Sequence, residues 1–144
     1  GDTITAGPFK VEFIHVSHSI PDSIALALHT PVGVCLHTGD FKIDMSPIDN
    51  QFMDLNRISE LGQQGVLLLM ADSTNVERPG FTASEKSVGP ALENIFLNAT
   101  GRDIVTTFAS YVHLIQQAFW AAERTGRKVA VVGRGMNNVV GIAN

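Results

Sequence analysis

Val66-Leu67-Leu68-Leu69-Met70 is an unbroken apolar run, and no other feature of the chain restricts the fold so strongly. A strand with one wet face alternates apolar and polar residues; a continuous run asks for cover on both faces. The run therefore reads as a fully buried central strand, ended by Ala71-Asp72-Ser73-Thr74-Asn75. Just before it, residues 54–64 carry Leu55, Ile58 and Leu61 at helical spacing, with Gly62 and Gly65 near the end, so a short helix leads into the strand. Upstream, residues 10–17 place Val11, Phe13, Ile14 and Val16 among polar partners in a strand-like pattern. The loop-like stretch 18–23 follows. Residues 24–37 then form two short apolar runs around Thr30-Pro31-Val32-Gly33, which reads as a β-hairpin.

A second half begins after Arg78-Pro79-Gly80. Thr82-Ala83-Ser84-Glu85 has the form of a capping box, with Thr82 as the cap. It predicts a helix to about Asn98, with Val88, Leu92, Ile95 and Phe96 on one face and a kink or split at Pro90. Residues 104–109, 110–125 and 128–132 read as strand, helix and strand. A crossover helix between two apolar strands implies parallel pairing with a right-handed connection. Residues 136–144 read as the start of a further helix. The fold class is α/β.

Composition limits the function. The 144 residues are near the size of one domain, and 10 basic against 14 acidic residues give a formal net charge of -4. No dense Lys/Arg run is present, which argues against gripping nucleic acid by bulk charge alone. It leaves room for an enzyme that handles a phosphodiester in a local, metal-bearing cleft. Cys35 is the single cysteine, so no internal disulfide forms, and a reducing, cytoplasmic setting fits. The apolar runs are too short to span a bilayer, and the chain does not open as a signal peptide, so no membrane is expected.

Three places could carry chemistry. His18 and Asp40 each sit just past an expected strand and offer a mixed nitrogen and oxygen donor set that suits Zn²⁺ or Mn²⁺. At 22 residues apart, spacing alone favours ordinary loop hydrogen bonds for both. His15, His29 and His37 read as strand or hairpin residues, and Cys35 as a packed thiol. Asp72, at the end of the apolar run, either orients a ligand or caps a turn. Ser110 and Gly133-Arg134-Gly135 stand at strand-to-helix junctions. Free amides there attract phosphate, and Arg134 adds a charged fork. The third glycine of a dinucleotide fingerprint is replaced by Asn138, so a nucleotide-binding Rossmann reading lacks its motif and ordinary capping is the simpler account.

His18-Ser-Ile-Pro-Asp-Ser, His37-Thr-Gly-Asp40-Phe-Lys-Ile-Asp44, Ala71-Asp72-Ser-Thr-Asn, Phe108-Ala-Ser110 and Gly133-Arg-Gly-Met136, in this order, resemble the ribonuclease J family, β-CASP members of the metallo-β-lactamase superfamily. The resemblance implies part of a metallo-β-lactamase αββα sandwich over 1–77, then the first part of a Rossmann-like β-CASP domain over 78–144. It implies an internal segment of a ribonuclease that cleaves RNA internally and from the 5′ end with two zinc ions (Mn²⁺ or Mg²⁺ as substitutes), working as a homo-oligomer. His18 and Asp40 would be metal ligands, Asp40 and Asp72 catalytic acids, and Ser110, His113 and Arg134 phosphate contacts. The family's His-x-His-x-Asp-His motif is absent from this sequence. Tyr111, Leu114 and Gly135 stand where the family pattern has Asn or His, Arg, and Ser. With two metal ligands of the six or seven the family uses, the segment alone is expected to be inactive. The competing reading is an RNA-binding or oligomerisation module without catalysis.

Overall fold

The computed structural model describes residues 1–143, so Asn144, the end of the last expected helix, lies outside the described residues. The chain forms two compact units: residues 1–18 with 22–82, and residues 19–21 with 83–144.

The first unit is a five-stranded sheet in the order β1-β2-β3-β4-β5. The strands are β1 (Thr3–Ala6), β2 (Phe9–His15), β3 (Ile24–Thr30), β4 (Gly33–His37) and β5 (Val66–Met70). β1 to β4 pair antiparallel, and β5 runs parallel to β4. The expected hairpin is present, with Thr30 opposite Gly33 and Thr30 Oγ1 donating to the Gly33 carbonyl at 2.7 Å. Gly33 has φ +145°, and a Cβ there would lie 3.0 Å from the Leu67 side chain, so glycine is required by both conformation and space. The expected helix is α1 (Leu55–Gln64), capped by Asp54, whose side chain accepts from the Arg57 amide.

One sheet face holds the core. Ile14, Val16, Ala25, Ala27 and Leu36 are buried there with Leu61 of α1, and Ile58 and Met53 pack on them. Ala25 and Ala27 sit opposite Ile14 and Glu12, and these short side chains on the central strand leave room for the larger ones. Leu61 is fully buried, so Leu61→Ala is expected to cost about 2–5 kcal/mol, read as a lower urea midpoint at unchanged slope.

The Val66–Met70 run forms its strand but is not central. It is a sheet edge, with Leu67, Leu68, Leu69 and Met70 between 42% and 61% exposed. Pairing to β4 satisfies one backbone side alone, so hydrophobicity predicted the strand without its place in the order. The described residues form one sheet with a helix on one face; a second sheet is not among them.

The second unit is helical among the described residues. It comprises a 3₁₀ turn (Glu85–Ser87), α2 (Val88–Asn98), α3 (Val112–Arg124) and α4 (Arg134–Ala143). The cap is Ser84, which accepts from the Lys86 amide, in place of the expected Thr82. Pro90 explains the shift: it sits in the first turn of α2, where its missing N–H costs nothing, and the chain before it tightens to 3₁₀. Gln117 of α3, 3% exposed, pins this helix start by accepting from the Gly89 amide at 2.8 Å and donating to the Glu85 carbonyl at 3.0 Å. Leu92 and Phe96 pack against Ala121 and Ala122, whereas Ile95, expected on that face, is exposed. Arg127 closes the other end of α2, its guanidinium donating to the carbonyls of Phe96, Ala99 and Gly101 at 2.5–2.9 Å and pairing with Asp103.

The two strands expected around α3 are not formed. Residues 104–109 and 128–132 carry no strand pairing among the described residues, and Ile104, Phe108, Val129 and Val132 are more than half exposed. Apolar runs supply side chains for a strand, but its ladder needs a neighbouring partner. Ser110 does not cap α3 either; Tyr111 stands at the cap position without a side-chain cap bond.

Candidate functional site

Strand direction assembles the first cluster. β2 and β4 are both antiparallel to β3, so they run the same way, and β5 is parallel to β4. The carboxyl ends of all three strands therefore lie on one side of the sheet. His18 follows β2, Asp40 follows β4 and Asp72 follows β5. Residues just past carboxyl ends are where open α/β sheets place ligands. Two backbone bonds draw the loops together: the Lys42 amide donates to the Ser17 carbonyl at 2.8 Å, and the Val16 amide to the Ser23 carbonyl at 3.0 Å.

His18 Nε2 and Asp40 Oδ2 end 3.9 Å apart, with the histidine side chain 30% exposed and the aspartate 81% exposed. Asp40 and Asp72 line one shallow cleft with His37, Gly39, Met70 and Ala71. The Asp72 carboxylate accepts from the Thr74 hydroxyl at 2.6 Å and from the Thr74 amide at 3.0 Å. These bonds hold its pKa below the usual carboxylate range, with smaller help from the Phe41 amide and His18 against partial desolvation. It is an ionised acceptor at neutral pH. The His37 ring lies along the exposed loop: its Nδ1 accepts from the Gly39 amide at 3.0 Å.

The donors fit a divalent ion in part. A separation of 3.9 Å lets His18 and Asp40 share one ion held about 2.0–2.2 Å from each. A closed zinc site takes four donors, and no group of three His, Cys, Asp or Glu able to hold a metal occurs among the described residues. Cys35 is a free, half-buried thiol within β4 and stays out of this cluster.

The phosphate candidates belong to the second unit. Ser110 precedes α3, His113 lies in its first turn and Arg134 opens α4. Ser110 and Arg134 are exposed, and His113 is half-buried. The two junctions are neighbours: a Cβ on Gly135 would stand 3.6 Å from the Ala109 Cβ, ordinary contact.

The sequence reading missed one cluster. Glu12 is buried on the core face of β2, and Arg57 of α1 grips both its oxygens, Nε to Oε1 at 2.6 Å and Nη2 to Oε2 at 3.0 Å. His29 Nε2 stands 3.0 Å from Oε2. The Arg57 bonds, opposed by burial and aided by His29, pull the Glu12 pKa down to about 2. The available signal was parity: Glu12 shares the face of Ile14 and Val16 on an alternating strand.

Residues 100–144 match the family model "Ribonuclease J, beta-CASP domain". The chain is 56% identical over 132 residues to ribonuclease J of Synechocystis sp., covering 92% of this chain and 21% of that protein. Against ribonuclease J of Thermus thermophilus it is 48% identical, covering 89% and 22%, and against ribonuclease J2 of Bacillus subtilis 42%, covering 97% and 25%. In fold alone it is similar to a crystal structure of a protein of unknown function from Enterococcus faecalis V583, with TM-score 0.64, 19% identity, and cover of 96% of this chain and 33% of that one. These matches make residues 100–144 similar to the beta-CASP domain, and the chain as a whole similar to a segment of ribonuclease J proteins. The chain spans about a fifth to a quarter of the length of these curated relatives. No helix among the described residues is long and apolar enough to cross a membrane.

Proposed function

We propose that this chain is part of a metal-dependent ribonuclease that hydrolyses RNA phosphodiester bonds internally and from the 5′ end. The observation that carries the reading is the meeting of His18 and Asp40, beside Asp72, at the carboxyl ends of three co-directional strands. Residues 1–77 would then be a portion of a metallo-β-lactamase αββα sandwich, and residues 78–144 the start of the β-CASP domain. The names of the relatives support a nuclease, and their greater length supports a larger enzyme; work in the cytoplasm as a homo-oligomer is part of the same proposal.

His18 would supply an imidazole nitrogen and Asp40 a carboxylate to a zinc ion, with the remaining donors coming from other parts of the longer protein. A bound divalent metal would activate water and neutralise charge on the scissile phosphate. Asp72, kept ionised by Thr74, would accept a proton or hydrogen bond in the same cleft. Ser110, His113 and Arg134 would hold RNA phosphates, Arg134 through a bidentate fork.

The purified 144-residue chain is expected to cleave RNA with added Zn²⁺ no faster than its His18→Ala variant, because two donors do not hold the ion. Zinc-dependent cleavage above that control would show a complete site. The incomplete donor set also favours a second reading, a module that binds RNA or a second copy without catalysis. It is separated by a salt titration: tight binding of single-stranded RNA with a steep salt slope supports that module.

A further inference from the structure

We infer that Thr38 is a positioning residue whose hydroxyl latches the Asp40 loop to the Asp72 loop and so sets both carboxylates around one cleft. The inference rests on the metal reading of His18 and Asp40 proposed above. Thr38 follows β4 directly, one residue past the His37–Met70 pairing, and is 7% exposed. Its amide and its hydroxyl are both used across these loops. Its amide donates to the Met70 carbonyl at 3.0 Å, which carries the β4–β5 pairing one step beyond the strands. Its Oγ1 donates to the Gly39 carbonyl at 2.8 Å and accepts from the Asp72 amide at 3.0 Å.

One hydroxyl therefore fixes the peptide just before Asp40 and the peptide that begins Asp72. Gly39 leaves this geometry no slack. Its φ is +60°, and a Cβ there would meet the Ile24 carbonyl oxygen at 2.7 Å, so the turn is pressed against β3. The Gly39 amide is taken by His37 Nδ1. Asp40 is itself 81% exposed, so the bonds to its neighbouring peptides, and not packing, hold it in place. Outer partners of this kind commonly change metal affinity about 10–100-fold when removed.

The test uses full-length protein and Zn²⁺ affinity by competition with a chromogenic chelator, which reads the site without catalysis. Thr38→Val keeps the shape and loses both hydroxyl bonds; Thr38→Ser keeps the hydroxyl. Asp40→Asn tests the underlying reading. The expected result is an affinity loss of about 10–100-fold in Thr38→Val, near-normal affinity in Thr38→Ser, and faster exchange of the Asp72 amide proton in Thr38→Val. Normal affinity in Thr38→Val beside a loss in Asp40→Asn overturns the latch and leaves the metal reading standing. Normal affinity in Asp40→Asn overturns the metal reading and the latch with it. Equal losses in the Ser and Val variants overturn the role of the hydroxyl. If Thr38→Val does not fold, Thr38→Ala removes the same two bonds without added bulk, and normal affinity there overturns the latch.

Discussion

Full-length protein carrying Asp40→Asn is expected to lose its bound divalent metal and at least about 1000-fold of its RNA cleavage rate. The rate figure follows from removing a metal worth several kcal/mol to the transition state, since about 4 kcal/mol corresponds to 1000-fold. Asparagine has the size of aspartate and keeps one carbonyl oxygen, but it cannot supply the negative charge that a hard, shared ion needs. The side chain is 81% exposed, so the sheet should not register the change, and the melting temperature of the metal-free protein should stay put. His18→Ala should fall to a similar level. The double variant should be little worse than either single one, because ligands of one centre fail as a unit. Metal content after gel filtration, measured by plasma mass spectrometry, and cleavage of a 5′-labelled RNA check this together. Full metal occupancy with cleavage within threefold of the unaltered protein would remove Asp40 from the metal site and redirect attention to Asp72.

What the sequence revealed of this fold follows from what is local. The hairpin was legible because Pro31 and Gly33 mark its turn and the apolar runs flank it. Helix α1 was legible because Leu55, Ile58 and Leu61 recur at helical spacing, with Gly62 and Gly65 near its end. Burial was not, because it depends on neighbours distant in sequence. Val66–Met70 has the composition of a central strand and stands at an edge, since strand order is set by β4 pairing with it and by nothing in the run itself. Residues 104–109 and 128–132 fail for the same reason: their apolar side chains are present, and their ladder partners are not among the described residues. The cap moved from Thr82 to Ser84 because Pro90, six residues further on, dictates where regular α-helix can begin.

The site divides along the same line. His18, Asp40 and Asp72 were each legible as residues just past a strand, which is a local statement. That they meet depends on β2, β4 and β5 sharing a direction, which needs the topology. Ser110 was legible as a junction residue but not as a non-capping one, since the turn that ends on Tyr111 is fixed by backbone bonds from the amides of Tyr111 and Val112 to the carbonyls of Phe108 and Ser110. Thr38 was not legible, and parity marks Glu12 on the core face of its strand without pointing to Arg57 as its partner. Each acts across 34 or more residues, and neither leaves a spacing rule behind.

Arg57→Ala is expected to destabilise the first unit by about 3–5 kcal/mol, a large share of the stability of an ordinary domain. The cost is that of a stranded charge more than of a lost bond. Glu12 has 8% of its side chain exposed, and Arg57 grips both its oxygens. Without the guanidinium, the carboxylate keeps the His29 ring at 3.0 Å and the burial that opposes its charge. The sign of the pH dependence then reverses. With Arg57 present, the Glu12 pKa is about 2 against an ordinary 4.5. Its contribution is therefore whole above about pH 5 and is lost as pH falls toward 2. Without Arg57, desolvation dominates and raises the pKa, so ionising Glu12 destabilises the fold as pH rises through that value. The gap between the two proteins should be widest near pH 7 and should narrow below about pH 4. Adding Glu12→Gln to Arg57→Ala should recover part of the loss, since an amide costs less to bury than a carboxylate. Urea unfolding at pH 7 and pH 4 measures both effects. A loss below about 1 kcal/mol at pH 7, or a gap that does not change with pH, would mean that Glu12 finds water once Arg57 is gone and that the pair behaves as a surface ion pair.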